Sequence, residues 1–357
     1  MTRRPHAAET VTLMSDFDYE LPDELIAQTP LPDRASSRLM VINRTGGEIT
    51  HAGFTDLGSF LRPDDLLVLN DSRVIPARLK IRRSSGGRGE LLLLHRTPSD
   101  GEWIALARPG RKLQIGETVH VLPLDANAEM ASATILDKQD NATALVQLSE
   151  ELDRDLAAFG MAPLPPYITT ELHDPERYQT VYSHPAGSAA APTAGLHFTN
   201  DMLSALDQQG VKTAYVTLHV GLDTFRPVSE EVAEEHEIHS EWCSVSPAAV
   251  EKIQVCRKNG GRVIAVGTTS ARTLETLAKH GESGNLAAFS GPTNIFITPG
   301  YEWMVVDGLI TNFHLPKSTL LLMVSSFASR DLILRAYREA IDHRYRFFSF
   351  GDATLIL

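Results

Sequence analysis

Three histidines stand among residues that could do acid–base chemistry. His197 lies in Pro192–Phe198 (PTAGLHF), His219 in Thr217–Phe225 (TLHVGLDTF) and His314 in Asn312–Thr319 (NFHLPKST). An imidazole titrates near neutral pH, so each can give or take a proton. Thr193 and Gly195 precede His197, and Gly195 would let a ligand approach the backbone closely. Asn312 and Lys317 flank His314. A hydrogen-bonded structural role accounts for His197 equally well, and for either of the others taken alone. What marks the three is that each belongs to a polar cluster next to a regular element.

Anion-binding groups accompany them. Val263–Thr276 (VIAVGTTSARTLET) reads as a strand, the turn Gly267-Thr268-Thr269, then a helix. Backbone N–H groups at such a start suit a carboxylate or phosphate, and Arg272 one turn later adds a cation. The run matches neither common nucleotide fingerprint, and an ordinary capped turn explains it as simply. His236-Glu237-Ile238-His239 has one residue where the zincin pattern needs two. Glu230, Glu231, Glu234, Glu235 and Glu241 crowd it, so a solvated acidic stretch is the simpler reading and no metal site is expected.

These groups need a scaffold. Pro22–Gln28 (PDELIAQ) suits a short helix, and Arg38–Asn43 and Glu48–Phe54 suit strands around Gly46-Gly47. From Leu66 onward short strands follow one another, with Ala77, Leu79 and Ile81 alternating with Arg78, Lys80 and Arg82. That spacing predicts a small barrel or sandwich. Beyond Glu150, strands alternate with helices, including Asn200–Gln209 with Asn200 as its cap. The expected fold is α/β: a mainly parallel-sheet domain with an inserted all-β, barrel-like domain. Residues 1–65 and 151–357 would form the former and 66–150 the latter. Residues 160–195 would form a long proline-rich loop in which Tyr167, Tyr178 and Tyr182 favour an ordered, functional structure.

Charge is unevenly spread over the 357 residues. The formal total is −12, yet residues 72–112 hold ten Lys/Arg against three Asp/Glu, a local +7 that leaves −19 elsewhere. An acidic chain does not coat nucleic acid through bulk charge, but one basic face can grip a polyanion. Arg73, Arg78, Lys80 and Arg82 head that segment. Two cysteines, Cys243 and Cys256, supply no disulfide framework and fit a reducing cytoplasm. Arg3 and Arg4 have no apolar run behind them, so no signal peptide is expected, and no membrane span is visible.

The motifs together resemble the S-adenosylmethionine:tRNA ribosyltransferase-isomerase family of queuosine biosynthesis. The resemblance is carried by DFDYELPDELIAQTPLPDRASSRL (16–39), LNDSRVIPARL (69–79), ERYQTVY (176–182) and AAPTAGLHFT (190–199). It continues through TLHVGLDTFRPV (217–228), HSEW (239–242), VIAVGTTSARTLE (263–275), TNFHLPKSTLL (311–321) and YRFFSFGDATLI (345–356). Asp223 stands where the family pattern has glycine, and Ala271 where it has valine.

The resemblance implies transfer of the ribosyl part of S-adenosylmethionine onto 7-aminomethyl-7-deazaguanine at the tRNA wobble position. The ribosyl unit is isomerised to an epoxycyclopentanediol, giving epoxyqueuosine-tRNA with release of adenine and methionine. S-adenosylmethionine is then a consumed substrate, with no metal or redox cofactor. The partner is a tRNA with a GUN-type anticodon; a cytoplasmic monomer without membrane contact is expected. His197, His219 and His314 become the acid–base candidates. Arg272 and Gly267-Thr268-Thr269 become the carboxylate clamp, and Tyr178 and Tyr182 stack on or cover the site. Thr193, Gly195, Asn312 and Lys317 complete the substrate site, while Arg73, Arg78, Lys80 and Arg82 take tRNA phosphates. Two other readings stand beside it: a non-catalytic RNA-binding protein, and a metal-dependent hydrolase around His236 and His239.

Overall fold

The computed structural model describes residues 11–138, 143–221, 228–281 and 285–357. The chain enters through β1 (Arg38–Ile42) and β2 (Ile49–Gly53), an antiparallel pair whose turn places Gly47 at φ +78°. Next come β3 (Leu66–Asn70) and the short β4 (Arg73–Val74). Six longer strands follow: β5 (Arg78–Arg82), β6 (Arg88–Arg96), β7 (Glu102–Arg108), β8 (Thr118–Val121), β9 (Ala131–Lys138) and β10 (Thr143–Leu148). They pair antiparallel in the order β5-β6-β7-β10-β9-β8, and β8 returns to β5, closing a barrel. Leu79, Ile81, Leu91, Leu93, Val119, Ile135 and Val146 fill its interior at 1% exposure or less. The alternating basic residues of β5 therefore face outward, as strand periodicity requires.

After α1 (Glu150–Arg154), the 160–195 stretch is tied down at both ends. β11 (Gly160–Met161) adds to β5, and β12 (Ala186–Ser188) pairs parallel with β4. The remaining elements are α2 (Asn200–Gln208), β13 (Lys212–His219), β14 (Glu241–Val245), α3 (Pro247–Lys258), β15 (Val263–Val266) and α4 (Thr268–His280). They continue through β16 (Phe289–Thr293), β17 (Gly308–Asn312), α5 (Thr319–Ala328), α6 (Arg330–Asp342) and β18 (Ala353–Ile356).

The large sheet runs β16-β14-β13-β3-β15-β17-β18-β1-β2. It is mixed, which corrects the expectation of a mainly parallel sheet. Four neighbouring pairs are parallel and four antiparallel. Parallel neighbours need a crossover. The β1–β2 turn is too tight for one, and α5 and α6 pack on each other and return the chain to the end it left, so β18 opposes β17. Leu66–Asn70 belongs to the centre of this sheet, between β13 and β15, so the barrel strands start only at Arg78. Helices α3 to α6 cover one face, and α2 with the turn Phe54–Phe60 covers the other. Burial on both faces explains why Leu66–Leu69 and Val263–Val266 are unbroken apolar runs; Asn70, which ends β3, is buried with its side chain hydrogen-bonded to the Leu218 backbone.

Two local expectations change. Thr199, not Asn200, caps α2, its hydroxyl accepting from Met202 N–H. Pro22–Gln28 yields only a 3-10 turn, Asp23–Leu25, because Ile26 pairs with Phe347 and Ala27 N–H donates to the Phe347 carbonyl. That tertiary pairing holds the backbone extended. Asp223, the departure noted in the sequence, lies outside the described residues. No helix among the described residues is long and apolar enough to cross a membrane.

Candidate active site

Open α/β sheets bind ligands beyond the carboxyl ends of their parallel strands. A pocket lies there, after β15 and β17. Gly267, Thr268 and Thr269 form one wall; Asn312 and His314 form another; Thr193, Tyr167, Phe348 and Ser349 close it. Gly267 adopts φ +90°, which a side chain would resist. This bend starts α4 with no side-chain cap, leaving the positive end of the helix at the pocket. The Thr269 hydroxyl is buried without a hydrogen-bond partner among the described residues.

His314 is buried, with Nε2 3.0 Å from the Thr311 hydroxyl. Its N–H donates to the Tyr337 hydroxyl, and its carbonyl accepts from Tyr19. Burial lowers its pKa to about 3, so the ring is neutral at pH 7. Asn312 donates through Nδ2 to the Phe348 carbonyl, which directs Oδ1 the other way.

His197 lines an adjoining cleft that shares Ser349 with the first. Its Nδ1 is 2.7 Å from the Ser37 hydroxyl. Burial lowers its pKa to about 4, while Asp352 and Asn312 act in the opposite direction. Neither His197 Nε2 nor Asn312 Oδ1 has a partner in hydrogen-bond geometry.

Arg272 lies in a third cleft, which shares Leu320 with the first. It is buried and paired with Glu241, which also accepts from Gly221 N–H at 2.8 Å. Burial alone would raise the Glu241 pKa; Arg272 and His239 outweigh it and hold the carboxyl at about 2. Nε and Nη2 of Arg272 have no hydrogen-bond partner among the described residues.

The remaining candidates sit apart from the first pocket. His219 is half-buried over Gly187, with burial lowering its pKa and Asp71 opposing. Tyr178 is fully buried against Phe350. A Cβ on Gly195 would lie 2.1 Å from the Tyr182 hydroxyl, so that side chain already fills the space over the glycine. Lys317 pairs with Asp18 at 2.6 Å. His236 faces Glu230 at 3.0 Å and His239 faces Glu241 at 3.4 Å, so these two histidines serve different carboxylates. Ser37, Phe348 and Ser349 join the site without having been expected there, and Tyr167, expected only as part of the functional loop, lines the pocket. Ser37 and Ser349 lie inside the family-like motifs, and that was their only signal in the sequence.

On the barrel, Lys80 and Arg82 are exposed and form no ion pair among the described residues, whereas Arg78 lies 3.6 Å from Glu90; Arg73, on β4 ahead of the barrel, pairs with Glu176. Arg82 stands opposite Arg88 across β5 and β6. Like charges in that register repel unless an anion screens them.

A family model described as queuosine biosynthesis protein matches residues 14–356. The S-adenosylmethionine:tRNA ribosyltransferase-isomerase of Caldanaerobacter subterraneus is 52% identical over 350 residues, covering 96% of this chain and 99% of that protein. The protein of the same name from a Thermoanaerobacter species is 53% identical over 346 residues, with 96% and 99% covered. Among solved structures, the S-adenosylmethionine tRNA ribosyltransferase of Thermotoga maritima aligns with a TM-score of 0.55 at 39% identity, covering 96% of this chain and 100% of that one. Shared over almost its whole length, this identity shows that the chain belongs to the queuosine biosynthesis family of S-adenosylmethionine:tRNA ribosyltransferase-isomerases.

Proposed function

We propose that the chain transfers and isomerises the ribosyl part of S-adenosylmethionine onto 7-aminomethyl-7-deazaguanine at the wobble position of a GUN-anticodon tRNA. Epoxyqueuosine-tRNA forms, and adenine and methionine leave. S-adenosylmethionine is consumed, and no metal or redox cofactor takes part. The reading places the enzyme in the cytoplasm as a monomer.

The observation that carries it is the convergence of the uncapped start of α4 with Thr193, Asn312 and His314 in one pocket. The sulfonium acidifies the C5′ hydrogens, so a neutral imidazole can remove one of them. His314 is the pocket's own imidazole; burial keeps it unprotonated at pH 7 and, by the same shift, makes it a weaker base than a free imidazole. His197 supports departure of adenine from the adjoining cleft, and His219 is the third candidate, outside the pocket. The Gly267–Thr269 turn receives the methionine carboxylate. Arg272, already paired with Glu241, contributes through its two unpartnered nitrogens. Tyr178 and Tyr182 support the 160–195 wall from behind. Lys80 and Arg82, with Arg73 and Arg78, hold tRNA phosphates.

Purified protein is given S-adenosylmethionine and tRNA bearing the aminomethyl-deazaguanine, and adenine is quantified. Stoichiometric adenine and modified tRNA are expected. Absence of adenine release by folded protein overturns the reading.

A further inference from the structure

We propose that His51, Glu339 and His343 bind a first-row divalent transition ion of the zinc class. The site is separate from the pocket and no step of the reaction passes through it. His51 lies on β2, while Glu339 and His343 are four residues apart at the end of α6. One ligand atom from each residue lies within 4.8 Å of the other two. His51 Nε2 is 2.8 Å from Glu339 Oε1. The two imidazole rings stack with centroids 4.5 Å apart, so one ring must turn for both lone pairs to reach a single ion.

The remaining ring nitrogens are already engaged. His343 Nδ1 is 2.9 Å from the Glu339 carbonyl, and His51 Nδ1 is 2.7 Å from the Tyr345 hydroxyl. A carbonyl can only accept, so His343 carries its proton on Nδ1 and presents Nε2 as a lone pair. A carboxylate also only accepts, so without metal His51 donates from Nε2 to Glu339; an ion would displace that proton, leaving Nδ1–H to donate to the Tyr345 hydroxyl and orient the ring. Two imidazoles and one carboxylate form a donor set that zinc accepts, with water completing the coordination. Imidazole-rich sites select such ions over magnesium or calcium. A bound ion would fasten the end of α6 to β2, just before the chain runs into Phe348 and Ser349 of the pocket wall.

The test uses the full-length protein, stripped of metal and titrated calorimetrically with zinc chloride. Uptake of one equivalent is expected, weakened at least about tenfold in His51→Gln and in His343→Gln, because each loses a ligand. Tyr345→Phe keeps all three ligands but removes the bond to His51 Nδ1; roughly tenfold or greater weakening is expected. Circular dichroism verifies the fold of each variant, and Glu339→Gln replaces any that does not fold. Absence of saturable zinc uptake, or unchanged affinity in the folded ligand variants, overturns the proposal.

Discussion

The hydroxyl of Ser37 lies 2.7 Å from Nδ1 of His197, and both residues are buried. This hydrogen bond engages Nδ1 and leaves Nε2 without a partner among the described residues. Replacing His197 with Ala is expected to lower kcat by roughly 10²- to 10⁴-fold with tRNA affinity nearly intact. Ser37→Ala is expected to lower kcat less and leave the fold unchanged. Wild-type turnover by His197→Ala would remove the residue from the reaction.

Acid should destabilise the protein earlier than carboxylate titration alone predicts. His197 and His314 have folded pKa values of about 4 and about 3, below the ordinary 6.5. The unfolded chain therefore binds more protons than the native state below pH ~6.5. Their contribution is complete above that pH and declines as pH falls toward the folded values, by about 1.4 kcal/mol per unit for each ring. Urea midpoints measured at neutral pH and near pH ~5 should differ accordingly. Equal midpoints would show that neither ring is held neutral by burial.

Glu241 and Arg272 form an ion pair in a buried site, so removing one charge strands the other. Glu241→Gln is expected to cost about 3–5 kcal/mol. Exchanging both residues for apolar ones of similar volume should recover much of that loss. Denaturation curves of the single and double variants decide it; a Glu241→Gln variant as stable as wild type would mean the pair is solvated.

A methyl group on Gly195 has nowhere to go. Gly195→Ala would place its Cβ 2.1 Å from the Tyr182 hydroxyl and 2.8 Å from Thr180 Cγ2. Overpacking of this kind costs roughly 1–3 kcal/mol. Tyr182→Phe removes the nearer atom and should rescue part of that cost. Thermal unfolding of the pair in a double-mutant cycle measures the coupling, and strictly additive effects would contradict the close approach.

The barrel face should reveal itself through salt. Replacing Lys80 and Arg82 with Ala is expected to weaken tRNA binding and lower the salt slope by about 0.7–0.9 for each phosphate no longer neutralised. Arg73→Ala should act less, since Arg73 is paired with Glu176. Binding isotherms across a salt series check this; an unchanged slope would exclude the face from tRNA binding.

Some of this was legible in the chain itself. Strand periodicity put Lys80 and Arg82 outside and Leu79 and Ile81 inside, because successive side chains in a strand face opposite ways. Double-sided burial made β15, and β3 up to Leu69, apolar throughout. The family motifs named the chemistry, and Gly267 marked the start of α4. None of these local patterns carries the order in which strands meet. β3 reads like a barrel strand until β13 and β15 flank it, and Arg272 reads like a free clamp until Glu241 reaches it. Ser37 meets His197 across 160 residues, and His51 meets Glu339 across 288. Such pairings depend on which faces pack to bury apolar area, a property of the whole sheet and its helices. Tertiary structure therefore decided which candidates share a pocket, which are already partnered, and which lie in the core.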